Sequence, residues 1–310
     1  MNPLIQFRKS IALTLIGFSL ASLTLSAQSV VSSTDGAGGA LPNVAKRYDF
    51  NRDGYPDYVI LKPTSDQSSP LLDFPPLQTN IWYLQNSRRV AARLGPIISS
   101  KWVLADAADF NRDGYPDYAL FNIETGQTKI KYLRDNVEID QRPGPTAPAG
   151  WKLQKVGDFN GDGKPDYVLV NSSTRQTAIW YMNNNQIIPG EQHFGPTLPS
   201  GFELKAVADF DLDGLDDYLL FTLASPRRTQ IWYIVRRNRV RQADGPTVLP
   251  GWLLRGAADF NQDGHPDYLL YKQQSKETQI WYLDGSVHLI GQAFGPTIPS
   301  EWFPCLPSGI

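Results

Sequence analysis

The chain has 310 residues, 41% of them hydrophobic and 19% charged, which excludes a disordered segment and leaves room for one large domain or two ordinary ones. The formal net charge is −2, no nucleic-acid partner is expected, and the single cysteine, Cys305, excludes an internal disulfide framework. Abundant proline and glycine, with 14 tyrosines and 8 tryptophans, favour many short strands joined by turns.

At the N-terminus, Arg8 and Lys9 precede an apolar run from Ile11 to Leu25, and Ser26-Ala27 offers a small-residue cut. This pattern predicts a secretory signal over residues 1–27, hence a secreted, periplasmic or cell-surface protein. A membrane anchor is the alternative, but the run is shorter than the ~20 residues needed to span, so no span is expected in the mature chain. Residues 28–43, rich in Ser, Gly and Ala, read as a flexible lead-in, and the folded domain is expected over 44–310.

Within that domain one segment recurs. DFNRDGYPDY begins at Asp49 and again at Asp109, DFNGDGKPDY at Asp158, DFDLDGLDDY at Asp209 and DFNQDGHPDY at Asp259. The first interval is lengthened by an insertion around Lys62 to Leu77. Two further signatures keep the same period. One is an IWY-type strand at Ile81, Ile130, Ile179, Ile231 and Ile280. The other is a Gly-Pro pair at Gly95, Gly144, Gly195, Gly245 and Gly295, followed by Trp102, Trp151, Phe202, Trp252 or Trp302. Each repeat therefore predicts four strands, in the fourth repeat Phe202 to Phe210, Tyr218 to Leu223, Thr229 to Val235 and Val240 to Asp244. Such a unit cannot bury both its faces alone, so an all-β propeller of about five four-stranded blades is expected. The first loop lacks a preceding tryptophan and Trp302 lacks a following loop. Glu301 to Leu306 is thus expected to complete the sheet that Val44 to Phe50 begins and so close the ring, an open array of hairpins being the alternative.

Counted from its first aspartate, each loop places oxygen side chains at positions 1, 3, 5 and 9 and glycine at 6. These are Asp49, Asn51, Asp53 and Asp57; Asp109, Asn111, Asp113 and Asp117; Asp158, Asn160, Asp162 and Asp166; Asp209, Asp211, Asp213 and Asp217; and Asp259, Asn261, Asp263 and Asp267. Short oxygen side chains at alternate positions around a tight turn suit Ca²⁺, which takes six to eight oxygens at about 2.3–2.6 Å. The position-7 carbonyls of Tyr55, Tyr115, Lys164, Leu215 and His265 would complete each set. Carboxylates 4 Å apart repel by roughly 4 kcal/mol at an effective dielectric of about 20, so such a loop needs a counter-ion. Sodium and magnesium are the alternatives, magnesium being disfavoured by its stricter geometry. About five Ca²⁺ per chain are expected, the fourth loop binding tightest because Asp211 adds a carboxylate. An apolar residue at position 12, such as Ile60 or Leu120, distinguishes these loops from the EF-hand, which ends there in glutamate.

The loops and strand signatures together, above all the run WKLQKVGDFNGDGKPDYVLVNSSTRQTAIWYMNN from Trp151, resemble the FG-GAP and VCBS repeat family over about Val44 to Trp302. The resemblance implies a β-propeller, as in integrin α-chain heads, with calcium in the hairpin loops and no shared catalytic residues. Integrin-type propellers have seven blades, whereas this chain has five loops.

Outside the loops, Trp82, Trp180, Trp232 and Trp281 are read either as packing between blades or as aromatic platforms for sugar rings. Lys131 stands at their position in the second repeat, which suggests that this face is part-exposed and that the Ile/Tyr face is the core. Arg236, Arg237 and Arg239, within a cluster running from Arg227 to Arg241, are read as a solvated rim or a patch for an anionic polymer. No catalytic constellation emerges, since the three histidines have no metal-ligand spacing and no nucleophile motif is present. The expected function is a non-enzymatic binding or adhesion module for an extracellular glycan or protein ligand. A propeller enzyme acting on polysaccharide is the alternative.

Overall fold

The computed structural model describes residues 47–64 and 74–305. The expected signal, the lead-in and most of the insertion in the first repeat lie outside these residues.

Twenty strands form five antiparallel sheets of four. The first sheet holds β1 (Tyr58–Pro63), β2 (Leu77–Gln85) and β3 (Arg88–Ile98). The second runs β4 (Trp102–Ala108), β5 (Asp117–Asn122), β6 (Gln127–Arg134) and β7 (Val137–Thr146). The third comprises β8 (Trp151–Gly157), β9 (Asp166–Asn171), β10 (Gln176–Asn183) and β11 (Gln186–Thr197). The fourth is β12 (Phe202–Ala208), β13 (Asp217–Thr222), β14 (Thr229–Val235) and β15 (Asn238–Asp244), close to the spans expected for that repeat. The fifth is β16 (Trp252–Ala258), β17 (Asp267–Lys272), β18 (Glu277–Leu283) and β19 (Leu289–Phe294), and β20 (Phe303–Pro304) returns to the first sheet. The chain is a five-bladed β-propeller. No helix among the described residues is long and apolar enough to cross a membrane.

The ring closes through its tail. In blades two to five the first strand of the repeat opens the sheet, and in blade one β20 takes that place, giving the order β20-β1-β2-β3. Leu61 pairs with Phe303 and Ile60 with Pro304, and Cys305 N–H donates to Val59 at 2.9 Å. The head supplies the rest of that strand: Asp57 N–H donates to the Tyr48 carbonyl at 2.9 Å, where Asp117 pairs with Ala108 in blade two. Head and tail therefore share one strand position, as expected for a ring and not for an open array. Val44 to Lys46 lie outside the described residues.

Blades meet through the invariant aromatic residues. The phenylalanine at loop position 2 packs edge-on against the tyrosine at position 10 of the next blade: Phe50 on Tyr118, Phe110 on Tyr167, and Phe159 on Tyr218. Phe260 on Tyr58, with centroids 6.1 Å apart, carries the pattern across the closure. A buried threonine two residues before each invariant isoleucine (Thr79, Thr128, Thr177, Thr229, Thr278) donates to the carbonyl of the Gly-Pro proline at 2.6–2.9 Å. This explains the glycine of that pair. A Cβ at Gly245 would lie 2.5 Å from both Thr229 Oγ1 and the Tyr268 hydroxyl of the next blade. Gly245→Ala should cost about 1–3 kcal/mol by overpacking, readable as a lower midpoint in urea at unchanged slope. A midpoint equal to wild type would refute this account of the glycine.

The expected split between an Ile/Tyr core face and a part-exposed Trp face is corrected by the structure. Trp82, Trp180, Trp232 and Trp281 are only 2–6% exposed, and the isoleucines opposite are fully buried. The third strand of each blade is covered on both faces because neighbouring blades stack on both sides of it. Lys131 is also buried, at 7% exposure, and tolerates the position because its ammonium pairs with Glu138 at 2.6 Å. The tryptophans are blade packing and cannot serve as sugar platforms.

Candidate calcium loops and ligand cleft

The aspartate loops join the first and second strands of each blade, at the end where the hairpin between its third and fourth strands also turns. Each loop closes on itself through its carboxylates. The first aspartate accepts the N–H of the position-6 glycine at 2.7–2.9 Å, and the position-5 aspartate accepts the N–H of position 7 at 2.9–3.0 Å. Position 6 has φ between 76° and 93°, which glycine adopts without cost. Position 4 is also left-handed, at Arg52, Arg112, Gly161, Leu212 and Gln262, a constraint that varied side chains conceal in the sequence.

The position-9 aspartates are the deepest. Asp57, Asp117, Asp166, Asp217 and Asp267 are at most 3% exposed. One carboxylate oxygen of each accepts the N–H of the position-2 phenylalanine, and the other accepts an N–H at the end of the third strand, from Leu84, Leu133, Met182, Ile234 or Leu283. This residue therefore rivets the loop to the blade, a role that sequence spacing did not reveal. Burial raises its pKa to about 8 in four loops and about 9 at Asp217, opposed by the two N–H donors and reinforced by other loop aspartates.

The donor chemistry fits a hard cation. In the fourth loop Asp209, Asp211 and Asp217 each present an oxygen, and these lie within 4.8 Å of one another. Two oxygens on one Ca²⁺ at about 2.4 Å can be at most about twice that distance apart, so the spread suits a shared ion. Each carboxylate oxygen carries two lone pairs, so a single N–H bond leaves it able to ligate. The other four loops have the neutral Asn51, Asn111, Asn160 or Asn261 at position 3. Asp211 is also ion-paired with Arg241 at 2.9 Å, so its extra charge is partly neutralised before any cation arrives.

The arginines expected to meet a ligand separate into two groups. Arg239 lies over Trp232, 4.4 Å from the ring centroid, and bonds Gln242. Arg236 and Arg237 instead line a cavity of about 430 Å³ between the third and fourth blades, with Tyr181, Glu191, His193 and Asn160. His193 and Glu191, which carried no signal in the sequence, lie 2.7 Å apart.

An FG-GAP-like repeat model matches residues 49–120 and 158–220. No curated protein matches the sequence. Among solved structures the chain is similar to the Photorhabdus luminescens Tc holotoxin pore at 12% identity, over 67% of this chain and 14% of that one, with a TM-score of 0.35. It is also similar to a Bacteroides uniformis protein whose description proposes a 6-phosphogluconolactonase, at 16% identity over 76% of this chain and 67% of that one, with a TM-score of 0.39. The matched segments take in the first four of the five aspartate loops, and the chain is a five-bladed propeller that is similar in those segments to FG-GAP-like repeats.

Proposed function

We propose that this chain is an exported, calcium-loaded propeller that serves as a binding or adhesion module for a glycan or protein ligand and catalyses no reaction. The observation that carries the reading is the recurrence of one oxygen-rich loop in all five blades, with three carboxylates of the fourth gathered within 4.8 Å. The residues at positions 1, 3, 5 and 9 would hold the ion, with the position-7 carbonyl. A bound Ca²⁺ supplies the counter-charge that clustered carboxylates otherwise lack. The loop side chains meanwhile already fix their own backbone, so the scaffold presents a rigid face next to the hairpins between third and fourth strands. Rigid elements with exposed loops at one end are what ligand recognition requires.

Calcium stoichiometry tests the first half of this reading. Elemental analysis and calorimetry on the full chain should give close to five Ca²⁺, and two or fewer would overturn the loops as independent sites. A glycan array probed with and without Ca²⁺ tests the second half. Release of reducing sugar from any polysaccharide that binds would instead make the propeller an enzyme.

A further inference from the structure

The five clefts between neighbouring blades are not equivalent on the face that carries the aspartate loops. In three blades the hairpin between third and fourth strands turns on a short polar residue with positive φ: Asn86 at 53°, Asp135 at 58° and Asn184 at 60°. Two of these cap the preceding blade, since the Tyr83 hydroxyl donates to Asp135 and the Tyr132 hydroxyl to Asn184. At the third-to-fourth boundary the pattern breaks. The turn is Arg236-Arg237, with φ of 46° and 75°, and the preceding tyrosine is Tyr181. Asparagine or glycine adopts such backbone far more readily than arginine, so nothing in the turn itself selects arginine here. The acceptor that caps Tyr83 and Tyr132 is replaced at Tyr181 by guanidinium groups beside a cavity of about 430 Å³.

The third-blade wall of that cavity is equally specific to it. His193 sits opposite Ile179 in the sheet, where the other blades place Arg93, Arg142, Ala243 and Ala293. Its ring meets Tyr181 edge-on at 5.5 Å, and its Nε2 lies 2.7 Å from Glu191. Cations, a carboxylate and two aromatic rings thus converge in one concavity whose volume falls in the range of small-ligand sites, about 300–1,000 Å³.

We propose that this cleft binds an acidic saccharide, a sugar residue bearing a carboxylate. The inference rests on the reading of the chain as a binding module and names its site and ligand class. Arg236 and Arg237 match the planar carboxylate, which guanidinium groups bind in forked geometry. Glu191 disfavours a bare inorganic anion by like charge but accepts hydrogen bonds from sugar hydroxyls. The half-buried His193 offers ring surface to the C–H face of a pyranose, with the buried Tyr181 behind it. A neutral sugar would leave the guanidinium groups without a counter-charge, and inorganic phosphate or sulfate would set its whole charge against Glu191 with no hydroxyl to offset the repulsion. Asn160, at position 3 of the third aspartate loop, lies on the cavity wall, so occupancy of the cleft and of that loop would be coupled.

The test is calorimetry on the full chain in Ca²⁺ with oligogalacturonate, its methyl ester as the neutral counterpart, and sodium sulfate. The informative variant is Arg236→Asn with Arg237→Asn, which restores the Asn184-Asn185 turn of the third blade and so keeps the hairpin foldable. Wild type should bind the oligouronate about tenfold or more tightly than the ester or sulfate. The double variant should lose about tenfold or more in affinity while melting no lower than wild type. Equal affinity of the variant, or equal binding of acid and ester, overturns the inference while leaving a glycan-binding module intact. If no saccharide of either kind binds on the array or in solution, the glycan reading itself falls, and the cleft proposal with it.

Discussion

In EDTA the wild-type chain should melt at least about 10 °C lower than in millimolar Ca²⁺. An ion that binds only the native state contributes RT ln(1 + [Ca²⁺]/Kd), about 2.7 kcal/mol per site at 100-fold excess over Kd. Two such sites, at about 2–4 °C per kcal/mol for a domain of this size, reach that shift. Five would approach ~13 kcal/mol, comparable to a whole domain's net stability, and that is an upper bound because weak extracellular sites gain less. The gap should also widen with pH. Burial holds Asp57, Asp117, Asp166 and Asp267 at about 8 in the metal-free fold. A carboxyl whose folded pKa lies above its unfolded value of about 3.9 adds stability below that value and loses it as pH rises through about 8. The calcium-free fold should therefore weaken between pH 4 and 8, while the loaded fold, its carboxylates paired with the cation, should not. Melting curves at pH 5 and pH 8, each with Ca²⁺ and with EDTA, measure this. One melting temperature in both buffers, or a gap that narrows as pH rises, would show that calcium does not hold the ring together.

Deletion of residues 301–310 should be more damaging than any single substitution. It removes the strand that covers β1, whose Val59, Ile60 and Leu61 are fully buried. It also removes Trp302, which is 7% exposed and carries the Lys62 ammonium 4.8 Å from its ring centroid. The blade would be left with an open edge, the arrangement that promotes pairing with other chains. We expect this truncation to be insoluble or to melt more than about 10 °C below wild type, whereas deletion of residues 28–41 should have little effect. Trp302→Ala keeps the chain length and should cost about 3–5 kcal/mol, the usual loss for a buried tryptophan. Equal melting temperatures for the two truncations would mean that the tail does not fasten the propeller.

Much of this was legible in the sequence because a repeat writes its constraints five times. The blade count, the four strands of each blade and the closure of head on tail follow from the spacing of Asp49, Asp109, Asp158, Asp209 and Asp259 and from the unmatched Trp302. The aspartates that close each loop on its own backbone could be named because their neighbours in space are also their neighbours in the chain. What the sequence could not decide depends on contacts between blades. Trp82 and its equivalents alternate with Ile and Tyr as if one face were outward, and only stacking of blades on both sides buries them. Lys131 looks like a mark of exposure until Glu138, seven residues on, is placed 2.6 Å away. Asp216 replaces a proline of the other loops, and its purpose emerges only where Arg47, far off in the chain, bonds it at 2.9 Å. His193, Glu191 and the Arg236-Arg237 turn belong to different repeats, and one cleft forms from them because the ring brings the edges of the third and fourth blades together. Periodic patterns report what each blade needs to fold, and the departures from them acquire meaning only in the tertiary structure, where residues of different blades meet.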